Sequence, residues 1–106
     1  MRGMNTALRA APPSSRAARI DAALRAAFAP TLLQVIDDSA KHAGHSGARP
    51  GGETHYSVLL VSAAFQGQSR VARHRAANAV VAAEFDSGLH ALVLVLRTPG
   101  EHAKAG

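Results

Sequence analysis

Pro30 is where the chain must change from one kind of structure to another. Before it, Ile20, Leu24 and Phe28 recur at helical spacing, with Ala17 and Ala27 widening the stripe. After it, Leu32–Ser39 alternates in a strand's period of two: Leu33 and Val35 point one way, Leu32, Gln34 and Ile36 the other. A proline pushes the residue before it out of the α region, so no helix crosses this point. Ser14 or Ser15 caps the helix Arg16–Phe28 in front of it, with Asp21 and Arg25 as an outward i,i+4 pair.

Similar punctuation divides the rest. Residues 40–53 carry four Gly, one Pro and two His without periodicity, which predicts a long loop. Thr54–Ser62 reads as a second strand, pairing with the first as an antiparallel hairpin across that loop. Ala63–Gln68 forms a turn with Phe65 packed inward. Ser69 caps a second long helix, roughly Arg70–Phe85, whose predicted inner stripe is Val71, His74, Asn78, Val81 and Phe85. Asp86-Ser87-Gly88 ends it. Leu89–Arg97 is a third strand, apolar on both faces, as an interior strand of a covered sheet should be. Thr98-Pro99-Gly100-Glu101 is a capping box that opens one last helical turn. The second helix joins strands two and three, which predicts a parallel, right-handed crossover between them. The expected fold is a small α+β sandwich in the order helix-strand-strand-helix-strand: a three-stranded mixed sheet with helices on one face.

Charge bears on function more than on fold. The net charge is +5. Residues 1–19 contain Arg2, Arg9, Arg16 and Arg19 and no acid, so they carry +4 and the remainder +1. Residues 1–15 read as a disordered tail, with 16–106 as the domain. The tail's Arg- and Ala-rich composition resembles an organelle transit peptide, but a bacterial leader or an upstream start before Met4 is favoured. No apolar run approaches the roughly 20 residues of a membrane span. There is no cysteine, which excludes disulfides, thiol nucleophiles and any cluster held by this chain's own thiolates. No nucleophile elbow, P-loop or dinucleotide fingerprint is present. Asp37 and Asp38 are adjacent on a strand and face opposite ways, so they share no proton.

Histidine is the unusual residue: His42 and His45 in the loop, His55 and His90 at strand starts, His74 and His102 elsewhere. Imidazole ligates iron, copper or zinc. The spacing of His42 and His45 is a weak metal pattern without Cys, and solvated or hydrogen-bonding histidines are the alternative. For His90, on a face with Leu92, Leu94 and Leu96, the pattern by itself favours a half-buried, hydrogen-bonded ring. Arg70, Arg73, His74 and Arg75 make a basic patch in the first turns of a helix, where cations oppose the helix dipole. The arginines either serve an anionic partner or form a solvated face; His74 is expected to pack inward.

The element order resembles a KH-type nucleic-acid module, whose Gly-x-x-Gly clamp would fall at Gly67-Gln68-Ser69-Arg70, with the second Gly missing. A more specific likeness runs through the chain. Val35-Ile36-Asp37-Asp38-Ser39, His42, Glu53-Thr54-His55-Tyr56, Val61-Ser62, Phe65-x-Gly67, Arg73-His74-Arg75, Leu89-His90-Ala91-Leu92 and Thr98-Pro99 together resemble the BolA family over about residues 16–102. The resemblance implies a class II KH-like fold and no enzymatic activity. It implies pairing with a monothiol glutaredoxin of the Cys-Gly-Phe-Ser type. The pair would share a [2Fe–2S] cluster held by the glutaredoxin cysteine, glutathione and histidines of this chain, with no cofactor in the isolated protein. His90 matches the family's C-terminal ligand and His42 its loop ligand, with His45 placed to substitute. The alternative it implies is DNA binding in transcription, stress response or morphology, through the second long helix with Arg70, Arg73, His74 and Arg75. Self-association as a weak homodimer is left open. A bacterial cytoplasmic location is expected ahead of a mitochondrial one, with no membrane association.

Overall fold

The computed structural model describes residues 15–39 and 53–105. The elements are α1 (Arg16–Phe28), β1 (Leu32–Asp37), β2 (His55–Val61), a 3₁₀ turn (Ala63–Phe65), α2 (Arg70–Val80), α3 (Ala82–Asp86), β3 (Ala91–Arg97) and α4 (Pro99–Ala105). Among the described residues no helix is long and apolar enough to cross a membrane. His42, His45 and the segment 1–14 lie outside the described residues.

The sheet order is β1-β2-β3. β2 runs antiparallel to β1, with Leu60 opposite Leu33, and parallel to β3, with Leu60 opposite Leu96. The mixed sheet is therefore as the sequence predicts. The strand period sorts side chains cleanly. Leu33 of β1, Tyr56, Val58 and Leu60 of β2 and Leu96 of β3 join Ile20, Leu24, Phe65, Ala77, Val81 and Leu89 in one core. The opposite face leaves Ile36, Val93 and Val95 exposed. Phe65 is fully buried and meets Phe28 at a centroid distance of 5.1 Å.

The caps behave as their chemistry requires. Ser15 Oγ accepts from Ala18 N, so Ser15 belongs to the folded helix rather than to the tail. Ser69 Oγ accepts from Ala72 N. At α4 the capping box closes in both directions: Glu101 N donates to Thr98 Oγ1, and Thr98 N donates to Glu101 Oε1. The strands are shorter than predicted; β1 stops at Asp37 because Asp38 and Ser39 turn away to begin the loop.

Three expectations are corrected. First, β3 lies at the edge of the sheet and β2 at its centre. A strand apolar on both faces need not be interior; here Val93 and Val95 face outward. Second, the helix Arg70–Phe85 breaks at Val81, whose φ of −106° leaves the helical range. Third, the inner face of this pair is Arg73, Ala77, Val81 and Glu84, while Val71 is 59% exposed and Phe85 40%. The predicted stripe followed the helical spacing that links Val71, Val81 and Phe85, whereas the buried positions include two charges whose partners lie far away in sequence. His74 is accordingly exposed and not packed inward.

Candidate functional site

The start of β2, the start of β3 and both ends of the 40–52 segment meet at one end of the sheet. His90 follows Gly88, which takes φ +128°, a conformation a side chain would resist. Leu89 is buried and its N donates to Glu84 O. His90 N and Ala91 N both donate to Thr54 O, at 2.8 and 3.0 Å. The His90 backbone is therefore fixed, while its side chain is exposed. Its ring lies beside that of His55, with centroids 5.2 Å apart and planes inclined at 49°. His55 itself is buried.

Ser39 is the last described residue before segment 40–52. Its Oγ accepts from Thr54 N at 2.9 Å and His55 N at 3.1 Å, and its own N donates to Asp37 Oδ1. Glu53 N, at the loop's return, donates to Asp37 Oδ2. One carboxylate thus joins the two ends. Burial alone would raise the Asp37 carboxyl, but hydrogen bonds from Ser39, Glu53 and Tyr56 outweigh it and hold the group below its ordinary value. The Tyr56 phenol is pushed up to about 12, first by burial and then by the negative charge of Asp37. Asp38 accepts from Ser57 Oγ on the neighbouring strand.

Arg16 completes the frame. Its Nε donates to Glu53 O at 2.7 Å, and its NH1 donates to Glu84 Oε1 at 2.7 Å and to Ser87 Oγ at 2.8 Å. A single guanidinium therefore connects the loop's return to the turn that delivers His90. Arg19 also pairs with Glu84. The hydrogen bond from Arg19 is the main cause that holds the Glu84 carboxyl below its usual range. Two of the four arginines counted with the front end are thus engaged in the folded body. Removing only Arg2 and Arg9 from the net charge of +5 leaves +3 for the rest of the chain.

The four members of the predicted basic patch separate. Arg73 is buried: it bridges Glu101 at 2.6 Å, donates to Gln68 O and Leu96 O, and lies 5.8 Å from the Phe65 ring centroid. Its guanidinium is engaged within the fold by Glu101 and two main-chain carbonyls and is not part of a solvated face. His74 has its two ring nitrogens at 2.9 Å from Arg70 O and 3.3 Å from Leu94 O. Arg73 and His74 together meet carbonyls of Leu96 and Leu94 on the edge strand, which blunts that edge. Arg70 and Arg75 are exposed. A groove of about 190 Å³ runs beside them, lined by Arg70, Arg73, His74 and Leu94 to Arg97.

Sequence reasoning singled out His90 but missed Ser39, Thr54, His55, Arg16 and Glu84 as its frame. Only the run Glu53-Thr54-His55-Tyr56 offered a signal, since it places polar residues at a strand start. Among the described residues no group of three or more His, Asp or Glu is placed to hold a metal ion.

The comparisons with known proteins agree with this fold. The family model described as BolA-like protein matches residues 24–101. The chain is 49% identical over 83 residues to a Sinorhizobium protein described as an uncharacterized protein in the cobS 5′ region, covering 77% of this chain and 89% of that one. It is 41% identical over 76 residues to the Escherichia coli DNA-binding transcriptional regulator BolA, covering 72% of this chain and 69% of the relative. It spans a smaller share of two larger Arabidopsis thaliana relatives, 24% of SufE-like protein 1 and 56% of BOLA1. The solved BolA domain of SufE1 from that plant superposes with a TM-score of 0.74 at 44% identity, covering 85% of this chain and 99% of the domain. With its sheet order, its motifs and these relatives in agreement, the chain belongs to the BolA-like family.

Proposed function

We propose that this protein is a non-enzymatic adaptor that pairs with a monothiol glutaredoxin and contributes imidazole ligands to a shared [2Fe–2S] cluster. The observation that carries the reading is His90: an exposed ring on a fixed backbone, at the end of the sheet where Ser39 and Glu53, the residues flanking segment 40–52, also lie. The donor chemistry fits. Without cysteine the chain has no thiolate to give, and mixed ligation by partner thiolates and histidine is a known way to hold such a cluster. Imidazole in place of thiolate reduces negative charge and raises the reduction potential.

His90 is the first ligand in this reading. His42 is the second, with His45 as its competitor. Ser39, three positions before His42 in the sequence, accepts from Thr54 N and His55 N. The chain's own work is to hold the backbone of His90 through Thr54 O and to fix the loop's two ends through Ser39, Asp37 and Arg16. Glutathione and the glutaredoxin cysteine supply the remaining ligands.

The test is a titration of glutaredoxin loaded with [2Fe–2S], followed by visible absorption and circular dichroism. The wild type should shift the spectrum at equimolar protein. His90→Ala should abolish the shift, and of His42→Ala and His45→Ala one alone should weaken it. An identical shift with His90→Ala would sink the assignment.

A second reading rests on the exposed Arg70 and Arg75 beside the groove and on the name of the Escherichia coli relative. In this reading the α2 surface binds duplex DNA for transcriptional regulation. Arg70→Ala with Arg75→Ala should then weaken binding and reduce its salt dependence. If deletion of residues 1–14 removes binding while the double variant retains it, the α2 surface is not the contact.

A further inference from the structure

The proposed cluster reading uses His90 and the loop histidines and leaves His55 without a task. His55 is only 6% exposed at the first position of the central strand. A buried imidazole must be satisfied by polar partners, a demand that Val or Ile at the same place would not make. Its Nδ1 lies 2.8 Å from Thr54 Oγ1, and that oxygen lies 3.3 Å from Ser39 Oγ. This engagement sets the orientation of the ring. The ring in turn lies against His90, at 5.2 Å between centroids. Meanwhile Thr54 O receives the His90 amide. One dipeptide therefore controls both halves of His90: Thr54 its main chain, His55 its side chain.

We propose that His55 is a positioning residue for His90, restricting an otherwise free surface imidazole to the rotamers that face a ligand at the end of the sheet. The proposal rests on the reading of His90 as a ligand. Its physical basis is simple. Exposed side chains exchange rotamers within picoseconds to nanoseconds, and a ring packed along one side removes part of that freedom before binding. Residues that orient a metal ligand typically change affinity by about 10-fold or more when lost.

Two arms test it. On the isolated protein, three-bond couplings about the His90 Cα–Cβ bond and its ring-proton shifts should report one dominant rotamer. His55→Ala should average the couplings and move the shifts toward those of free histidine, whereas His55→Phe, which keeps a flat ring but loses the bond to Thr54 Oγ1, should retain part of the order. Averaged couplings in the wild type would overturn the proposal, and so would unchanged couplings in a folded His55→Ala protein. If His55→Ala does not fold, the wild type and His55→Phe decide. In the second arm, with cluster-loaded glutaredoxin, His55→Ala should raise the midpoint of the spectral titration about 10-fold and His55→Phe should raise it less. A wild type that leaves the glutaredoxin spectrum unchanged would refute the cluster reading, and the couplings would still decide the positioning role.

Discussion

Arg16 shows how much one side chain can hold. It is 7% exposed, and its guanidinium serves Glu53, Glu84 and Ser87 at once. A buried charge is costly when unpaired, so this group depends on Glu84 more than Glu84 depends on it. Glu84→Gln keeps the shape and removes the charge. The expected loss is about 2–3 kcal/mol, toward the low end of a broken buried pair because Ser87 and two carbonyls still accept from Arg16. A shift of the urea midpoint at unchanged slope would measure it, and an unchanged midpoint would show the network to be dispensable. The residues of this frame were not legible in the sequence. Arg16 and Glu84 are 68 positions apart, and no periodicity links such a pair.

At the scale of elements, α2 carries three arginines of similar appearance in two different settings. Arg73 faces the core with Ala77 and Val81, while Arg70 and Arg75 face water. Arg73→Ala removes the Glu101 bridge, two bonds to carbonyls and the packing on Phe65. It should destabilise the fold by about 2–3 kcal/mol, while Arg75→Ala should change it by less than about 0.5 kcal/mol. Thermal unfolding of the two variants side by side distinguishes them; equal melting temperatures would contradict the structure. Helix existence and capping at α1 and α2 were readable from Ser15, Pro30 and Ser69. The face of α2 was not, because an apolar stripe is a guide only where buried positions are apolar. Here Arg73 and Glu84 are buried through partners on other elements, and the break at Val81 changes the phase of the helix partway along.

At the scale of the whole molecule, Asp37, Glu84 and Glu101 are carboxyls held below their ordinary values. Glu101 is lowered from 4.5 to about 2, chiefly by its hydrogen bond from Arg73. A carboxyl with a folded value below its unfolded one leaves the unfolded chain with more bound protons between the two values. Stability therefore rises with pH across that window. It is fully present above about pH 4.5 and is lost as pH falls toward 2. Urea midpoints taken from about pH 6 down to about pH 2 should follow this limb, and Glu101→Gln should flatten its lower part. A limb unchanged in Glu101→Gln would assign acid sensitivity to the other carboxyls.

Local chemistry determined the elements. Pro30, the serine caps and the box at Thr98–Glu101 act over a few residues, so they could be read directly, and with the pairing rules they led to the mixed sheet. The motif run led to the BolA-like family and to His90. What only the tertiary structure decided is which strand lies at the edge, which arginine is buried, and what surrounds His90. These depend on contacts between residues far apart in the chain, whose energies come from burial and from charges meeting across elements. No spacing along the sequence records such meetings. The Ser39, Thr54 and His55 arrangement appears only once the end of β1 lies beside the starts of β2 and β3.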